Sequence, residues 1–119
     1  MRYLLLIYSE EQTTQPSQAE LDAVMAEWWA YDTAIKDSGV HVSSAAMQPT
    51  QTATTVRVKG DDRIVTDGPF AETREVLGGY YLIDVPDLDT ALDWAAKCPG
   101  AKYGSMEVRP VMVFDSPPQ

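Results

Sequence analysis

Two aspartates sit where acid–base or ligand chemistry would be possible. Asp32 interrupts the apolar series Leu21, Val24, Met25, Trp28, Tyr31 and Ile35, whose spacing is that of one helix face. At about 100° per residue it falls inside that stripe. A carboxylate there is costly unless it is solvated or bonded. It either reaches water or a backbone N–H near the helix end, or it faces a polar pocket between helix and sheet. Asp67 opens the run Asp67-Gly68-Pro69-Phe70. Asp-Gly and Gly-Pro are strong turn dipeptides, and Pro fixes its own φ, so this stretch reads as a rigid corner presenting one carboxylate. Either aspartate is a candidate catalytic base, if enclosure raises its pKa. Trp28 and Tyr81 are candidate ligand-binding walls, flat and apolar with a polar edge. Tyr81 or Arg109 would orient or stabilise an anionic substrate. The competing account is that Asp32 and Asp67 each cap local backbone and share no cavity.

Other reactive residue types point away from chemistry. His41 is the only histidine. A lone histidine cannot build a His-based metal site, and nothing adjacent would orient it as a base, so a structural or surface role is expected. Cys98 is the only cysteine; it falls on an apolar helix stripe and reads as a small buried hydrophobe. It excludes an intrachain disulfide and a thiol metal cluster. Trp29 lies at the edge of the first stripe and reads as packing. Glu107 and Arg109 share a strand face, where a cross-strand ion pair is the plain reading. No metal and no cofactor is expected.

Composition narrows the class. The chain has 119 residues, 45% of them hydrophobic, 23% charged, with net charge −9. This suits one domain with a sizeable core; the expected division is a single domain over residues 1–114 and a flexible tail over 115–119. The negative charge argues against nucleic-acid phosphate or an anionic membrane as partner. No run is long enough to span a bilayer, and the apolar run after Arg2 is too short for a signal peptide. A cytoplasmic protein is the expectation.

The elements that must position these residues follow in order. Tyr3 to Tyr8 is apolar on both faces and predicts a central strand covered on two sides. One side needs helices; the other needs more protein or a partner subunit. Ser17 with Glu20 forms a capping-box pattern, predicting a helix to about Asp37 that stops at Gly39. Val40 to Met47 reads as a strand. Ala53 to Lys59 and Arg63 to Thr66 read as a hairpin that turns at Gly60-Asp61-Asp62 and ends at the Asp67 corner. Tyr80 to Val85 is strand-like, with Gly78 and Gly79 before it. Asp87 caps a second helix, Leu88 to Cys98, with the stripe Leu88, Ala91, Leu92, Ala95 and Cys98, stopped by Pro99-Gly100. A last strand runs from Met106 to Val113; Pro110 within it predicts a sheet edge.

Strand, helix, strand, hairpin, strand, helix, strand is a split β-α-β pattern with an inserted β-hairpin, an α+β, ferredoxin-like arrangement. In it the first strand is central and the last an edge.

The same residues carry a resemblance. Met1 to Tyr8, the run from Val65 through Asp67-Gly68-Pro69-Phe70 to Glu75, the segment Leu77 to Ile83, and Glu107-Val108-Arg109-Pro110 resemble the DGPF family, part of the YCII-related group. The resemblance spans nearly the whole chain. It implies a ferredoxin-like fold that pairs as a dimeric α+β barrel, which would cover the helix-free sheet face. Many family members are encoded near extracytoplasmic-function sigma factors, which implies a stress-linked setting. Proteins of the wider group have a proposed His–Asp pair with the histidine in the first helix. This chain has none there, and His41 lies on the following strand, so that role does not transfer. Two functions stay open: a small-molecule enzyme using a carboxylate-lined pocket, or a non-catalytic ligand-binding or regulatory partner. A homodimer is expected in either case, and Asp67 is expected to accept backbone N–H bonds from the Pro69–Glu72 region.

Overall fold

The computed structural model describes residues 1–11 and 14–115. Residues 12 and 13, and residues 116–119 of the expected tail, lie outside the described residues. The elements are β1 (Arg2–Glu10), α1 (Gln18–Asp37), β2 (His41–Ala46), β3 (Thr54–Lys59), β4 (Asp62–Asp67), β5 (Glu75–Asp84), α2 (Leu88–Lys97), α3 (Pro99–Tyr103) and β6 (Ser105–Pro110). A short 3₁₀ turn, Thr50–Thr52, leads into β3. The chain is thus α+β.

Four strands form one antiparallel sheet in the order β2-β5-β1-β6. The doubly apolar first strand is central, as its composition requires, and the Pro110 strand is an edge. Pro110 is its last residue, paired with Tyr3, so the missing N–H sits where the ladder ends. Tyr3, Leu5, Tyr81, Ile83 and Val85 point to one face and are buried. Leu4, Leu6, Tyr8, Tyr80 and Leu82 point to the other and are only half-buried. β5 begins five residues earlier than expected and runs through Gly78 and Gly79. Glycine permits a close backbone approach, and a Cβ on Gly79 would come within 2.7 Å of the Ala45 carbonyl oxygen. The glycine is what allows β2 and β5 to close at that point.

The helices cover the first face. Ser17 accepts from the Glu20 N–H at 3.2 Å, and Asp87 accepts from the Thr90 N–H and hydroxyl at 2.9 and 2.7 Å; each satisfies an otherwise orphaned helix donor. Tyr31 and Ile35 of α1 and Ala91 and Ala95 of α2 enter the core with Cys98. The expected stripes are wider than the buried ones. Leu21, Met25, Leu88 and Leu92 are all more than 40% exposed. A stripe is buried only where a facing layer exists, and the first half of α1 and one edge of α2 have none. α2 stops before Pro99 as expected, with Cys98 as its C-cap, and Pro99 also opens α3 at its first position, where proline's fixed φ and missing N–H suit a helix start.

The hairpin stands apart as a second, two-stranded sheet, β3 with β4. Its turn is the two-residue Gly60-Asp61, between the paired Lys59 and Asp62. The corner after it is held differently from expectation. Among the described residues no hydrogen bond reaches the Asp67 carboxylate from Pro69–Glu72. Gly68, at φ 101°, makes the turn instead, a conformation that disfavours other residues. Its N–H donates to the Ala53 carbonyl at 2.7 Å, and its carbonyl accepts from the Thr55 hydroxyl at 2.8 Å.

Candidate functional site

Where α1 leaves the sheet, a cleft of about 580 Å³ opens between the helix and strands β1, β2 and β5. Its helix wall is Met25, Trp28, Trp29, Asp32 and Lys36; its sheet wall includes Ile7, Ser44, Ala46, Gly79 and Tyr81. Small residues on β2 and β5 make the floor low, and indole rings make the opposite wall tall. That volume matches a small organic ligand, and the lining is mainly apolar with few polar groups.

The polar groups are one connected set. The Tyr81 hydroxyl donates to Asp32 Oδ1 at 2.9 Å. Lys36 Nζ pairs with Asp32 Oδ2 at 2.8 Å, one helical turn on. Both carboxylate oxygens are therefore engaged, and only 20% of the Asp32 side chain is exposed. The apolar stripe is broken because the sheet offers this aspartate a hydroxyl and the next turn offers it an ammonium. Behind Tyr81, ring edges lock the constellation: Tyr31 meets it edge-to-face at 5.3 Å and His41 at 6.0 Å. His41 Nε2 lies 2.8 Å from the Ser44 hydroxyl.

Electrostatics reverse one expectation. The Lys36 ammonium holds the Asp32 carboxyl below the usual carboxylate range; the Tyr81 hydroxyl adds to this, and together they outweigh the opposing effect of burial. Enclosure was expected to raise it. Burial first, and then the hydrogen bond to Asp32, push the Tyr81 phenol up. The set is thus an ionised acceptor, a neutral phenol and a cation. Burial likewise pushes the Cys98 thiol up to about 11; with 1% exposure it is packing, as read from its stripe.

The other candidates lie elsewhere. Asp67 is exposed at the root of the hairpin, paired in register with Thr54, and does not line the cleft of its own chain. Among the described residues, Asp32 lines this cleft and Asp67 does not. Arg109 is exposed on β6, opposite Leu4 and therefore on the helix-free face. Sequence reasoning brought together Asp32, Trp28 and Tyr81. It passed over Lys36, although an aspartate four residues before a lysine is a readable helical pair. It also passed over Met25 as a wall and took Trp29 as packing; Trp29 is 64% exposed at the cleft's rim. Among the described residues no three His, Cys, Asp or Glu side chains gather as a metal site. Among the described residues no helix is long and apolar enough to cross a membrane.

Comparison with known proteins agrees with the corner motif. The sequence pattern of the YCII-related domain matches residues 1–115. An uncharacterised protein of Rhizobium meliloti (strain 1021) is 40% identical over 117 residues, covering 96% of this chain and 94% of that protein. A match of that extent leaves no part of the fold outside the likeness, and the chain belongs to the YCII-related family.

Proposed function

We propose that this chain is a small-molecule-binding protein whose site is the cleft between α1 and the sheet, in a homodimer that pairs through the helix-free sheet face. The observation that carries the reading is the Tyr81–Asp32–Lys36 set at the edge of an otherwise apolar cleft. A rigid polar cluster on helix and strand supports precise recognition. Its protonation pattern favours binding over catalysis. A useful general base has its pKa near working pH, whereas Lys36 draws Asp32 the other way. Asp32 suits a ligand's hydrogen-bond donor, with Trp28 and Trp29 flanking the ligand's flat or aliphatic body. The enzyme reading needs a second acid or base, and the cleft of one chain supplies no second carboxylate.

The order β2-β5-β1-β6 with both long helices on one face supports the ferredoxin-like description. Leu4, Leu6, Tyr8, Tyr80 and Leu82 on the other face support pairing into a dimeric α+β barrel, since monomers seldom leave a contiguous apolar patch in water. Screening a metabolite library by thermal shift should yield ligands that raise the melting temperature by mass action, with the shift lost in Trp28→Ala. Hits that stabilise Trp28→Ala equally would remove the cleft from the reading. Light scattering should give about twice the 13.1 kDa chain mass, and Leu6→Lys should return the monomer; a stable wild-type monomer would end the dimer proposal.

A further inference from the structure

The Asp32–Lys36 pair has bonding capacity left over. A carboxylate has about four acceptor sites and an ammonium has three donors. Asp32 uses one site for the Tyr81 hydroxyl and one for Lys36, and Lys36 uses one donor for Asp32. Both side chains line the cleft, and among the described residues they are the only charged ones that do. The cleft therefore holds one negative and one positive charge side by side. Asp32 is fixed from the sheet by Tyr81, while Lys36 is 51% exposed at the end of a long stem. Trp28, Asp32 and Lys36 stand four residues apart, so they form one row along α1, with Met25 and Trp29 as a second row beside it. Along the first row an aromatic wall is followed by an anion and then a cation. Opposite Trp28, the small residues Ala46 and Gly79 leave room for a bulky group.

That order of charges selects a ligand. An ammonium alone would meet Asp32 but would be opposed by the Lys36 charge beside it. A carboxylate alone would meet Lys36 but would be opposed by Asp32, in a chain whose net charge is already −9. A neutral ligand would leave the spare capacity of both charges to water. A ligand with ammonium and carboxylate on neighbouring carbons satisfies both and leaves the 2.8 Å ion pair intact. The four charges then alternate around a square, each between two of opposite sign. We infer that the cleft binds a free α-amino acid with an aromatic or bulky apolar side group, its ammonium on Asp32, its carboxylate on Lys36 and its side group against Trp28, Met25 and Trp29. The inference rests on the cleft reading above and names the ligand class for it. Lys36 thereby gains a binding role beyond that of a helix ion pair.

The test uses four probes that share a phenyl ring: L-phenylalanine, phenethylamine without the carboxylate, 3-phenylpropanoate without the ammonium, and 2-phenylethanol without either charge. NMR of the indole N–H signals reads the site, because Trp28 and Trp29 line the cleft and Trp94, the third tryptophan, does not. L-Phenylalanine should move the Trp28 and Trp29 signals, leave Trp94 in place, and bind about tenfold or more tighter than each other probe, since each lacks at least one charge-assisted contact. Lys36→Met should weaken L-phenylalanine by about tenfold and tighten phenethylamine, whose repulsion it removes. Asp32→Asn should weaken L-phenylalanine likewise and tighten 3-phenylpropanoate. A one-charge or uncharged probe that binds as tightly as L-phenylalanine overturns the inference and leaves the cleft reading standing. So does a Lys36→Met variant with undiminished amino-acid affinity. If no probe moves either indole signal, the amino-acid inference falls. The cleft reading falls with it only if the metabolite screen also finds no stabilisation that Trp28→Ala abolishes.

Discussion

The body and the hairpin are built from the same kind of strand and meet opposite fates. In the body, Tyr3, Leu5, Tyr81 and Ile83 alternate toward a helix layer and are at most 7% exposed. In the hairpin, Val56, Val58 and Val65 alternate just as regularly and stay mostly in water. Alternation gives a strand two faces; whether a face is buried depends on what the rest of the chain brings to it. The two aspartates repeat the contrast. Asp32 stands against the body and has a hydroxyl and an ammonium on its oxygens. Asp67 stands on the hairpin, and among the described residues neither a hydrogen bond nor an ion pair reaches its carboxylate.

The largest effect separating the two regions is a core truncation. Ile35 is fully buried between α1 and the sheet, so Ile35→Ala should destabilise the fold by about 2–5 kcal/mol, the lost transfer energy plus the cavity left behind. Val56→Ala should change the stability of the isolated chain by less than about 0.5 kcal/mol, as surface substitutions do. Urea midpoints of the two variants, taken at concentrations low enough to dissociate any oligomer, check the pair. A valine loss comparable with the isoleucine loss would mean the hairpin is packed within its own chain.

That contrast also explains which parts of the fold were legible. Caps are local chemistry, so Ser17 and Asp87 announced α1 and α2 correctly. The double-sided strand β1 and the Pro110 edge were legible because burial on two faces and a missing N–H constrain position in a sheet. Leu21, Met25, Leu88 and Leu92 were not, because an apolar residue on a helix carries no mark of whether a second layer faces it. Pro99 marked the end of α2 correctly and left the start of α3 unread, because proline ends one helix and begins another by the same fixed φ. In the site, Asp32 was legible as a polar break in an apolar stripe, and Trp28 and Tyr81 as its walls. Its protonation was not, because that depended on Lys36 winning over burial. Asp67 drew attention through its turn sequence, but the neighbouring glycine does the turning.

Tyr81→Phe sharpens the contrast within the cleft. It keeps the ring stacked against Tyr31 and removes only the hydroxyl that donates to Asp32. The expected destabilisation is about 1 kcal/mol, typical of one side-chain hydrogen bond, and ligand binding should weaken alongside. Melting curves with and without a ligand separate the two effects. A fully stable variant that binds normally would show that the hydroxyl contributes to neither.

Acid titration reads the same carboxylate with a smaller effect. Because its folded pKa lies below its unfolded value, Asp32 releases its proton more readily in the native state. Its contribution is therefore fully present above the unfolded value of about 3.9 and is lost as pH falls through the lower folded value. The stability difference between wild type and Asp32→Asn should be constant from about pH 7 to 5 and shrink below about pH 4. A difference that holds constant down to pH 2 would mean that Asp32 gains nothing from its charged form.

The smallest effect is expected at Asp67. Asp67→Ala should shift stability by less than about 0.5 kcal/mol, because no donor loses a partner when the carboxylate goes. The corner rests on the Gly68 N–H to Ala53 and on the Thr55 hydroxyl to the Gly68 carbonyl. Thr55→Val therefore serves as the control: it keeps the shape, strands a part-buried carbonyl, and should lose more stability than Asp67→Ala. Both are measured by urea denaturation of the dissociated chain. If Asp67→Ala is the more damaging of the two, the carboxylate does hold the turn. If it is silent there, yet weakens association of two copies or ligand binding in the assembled dimer, then Asp67 works at the contact between copies.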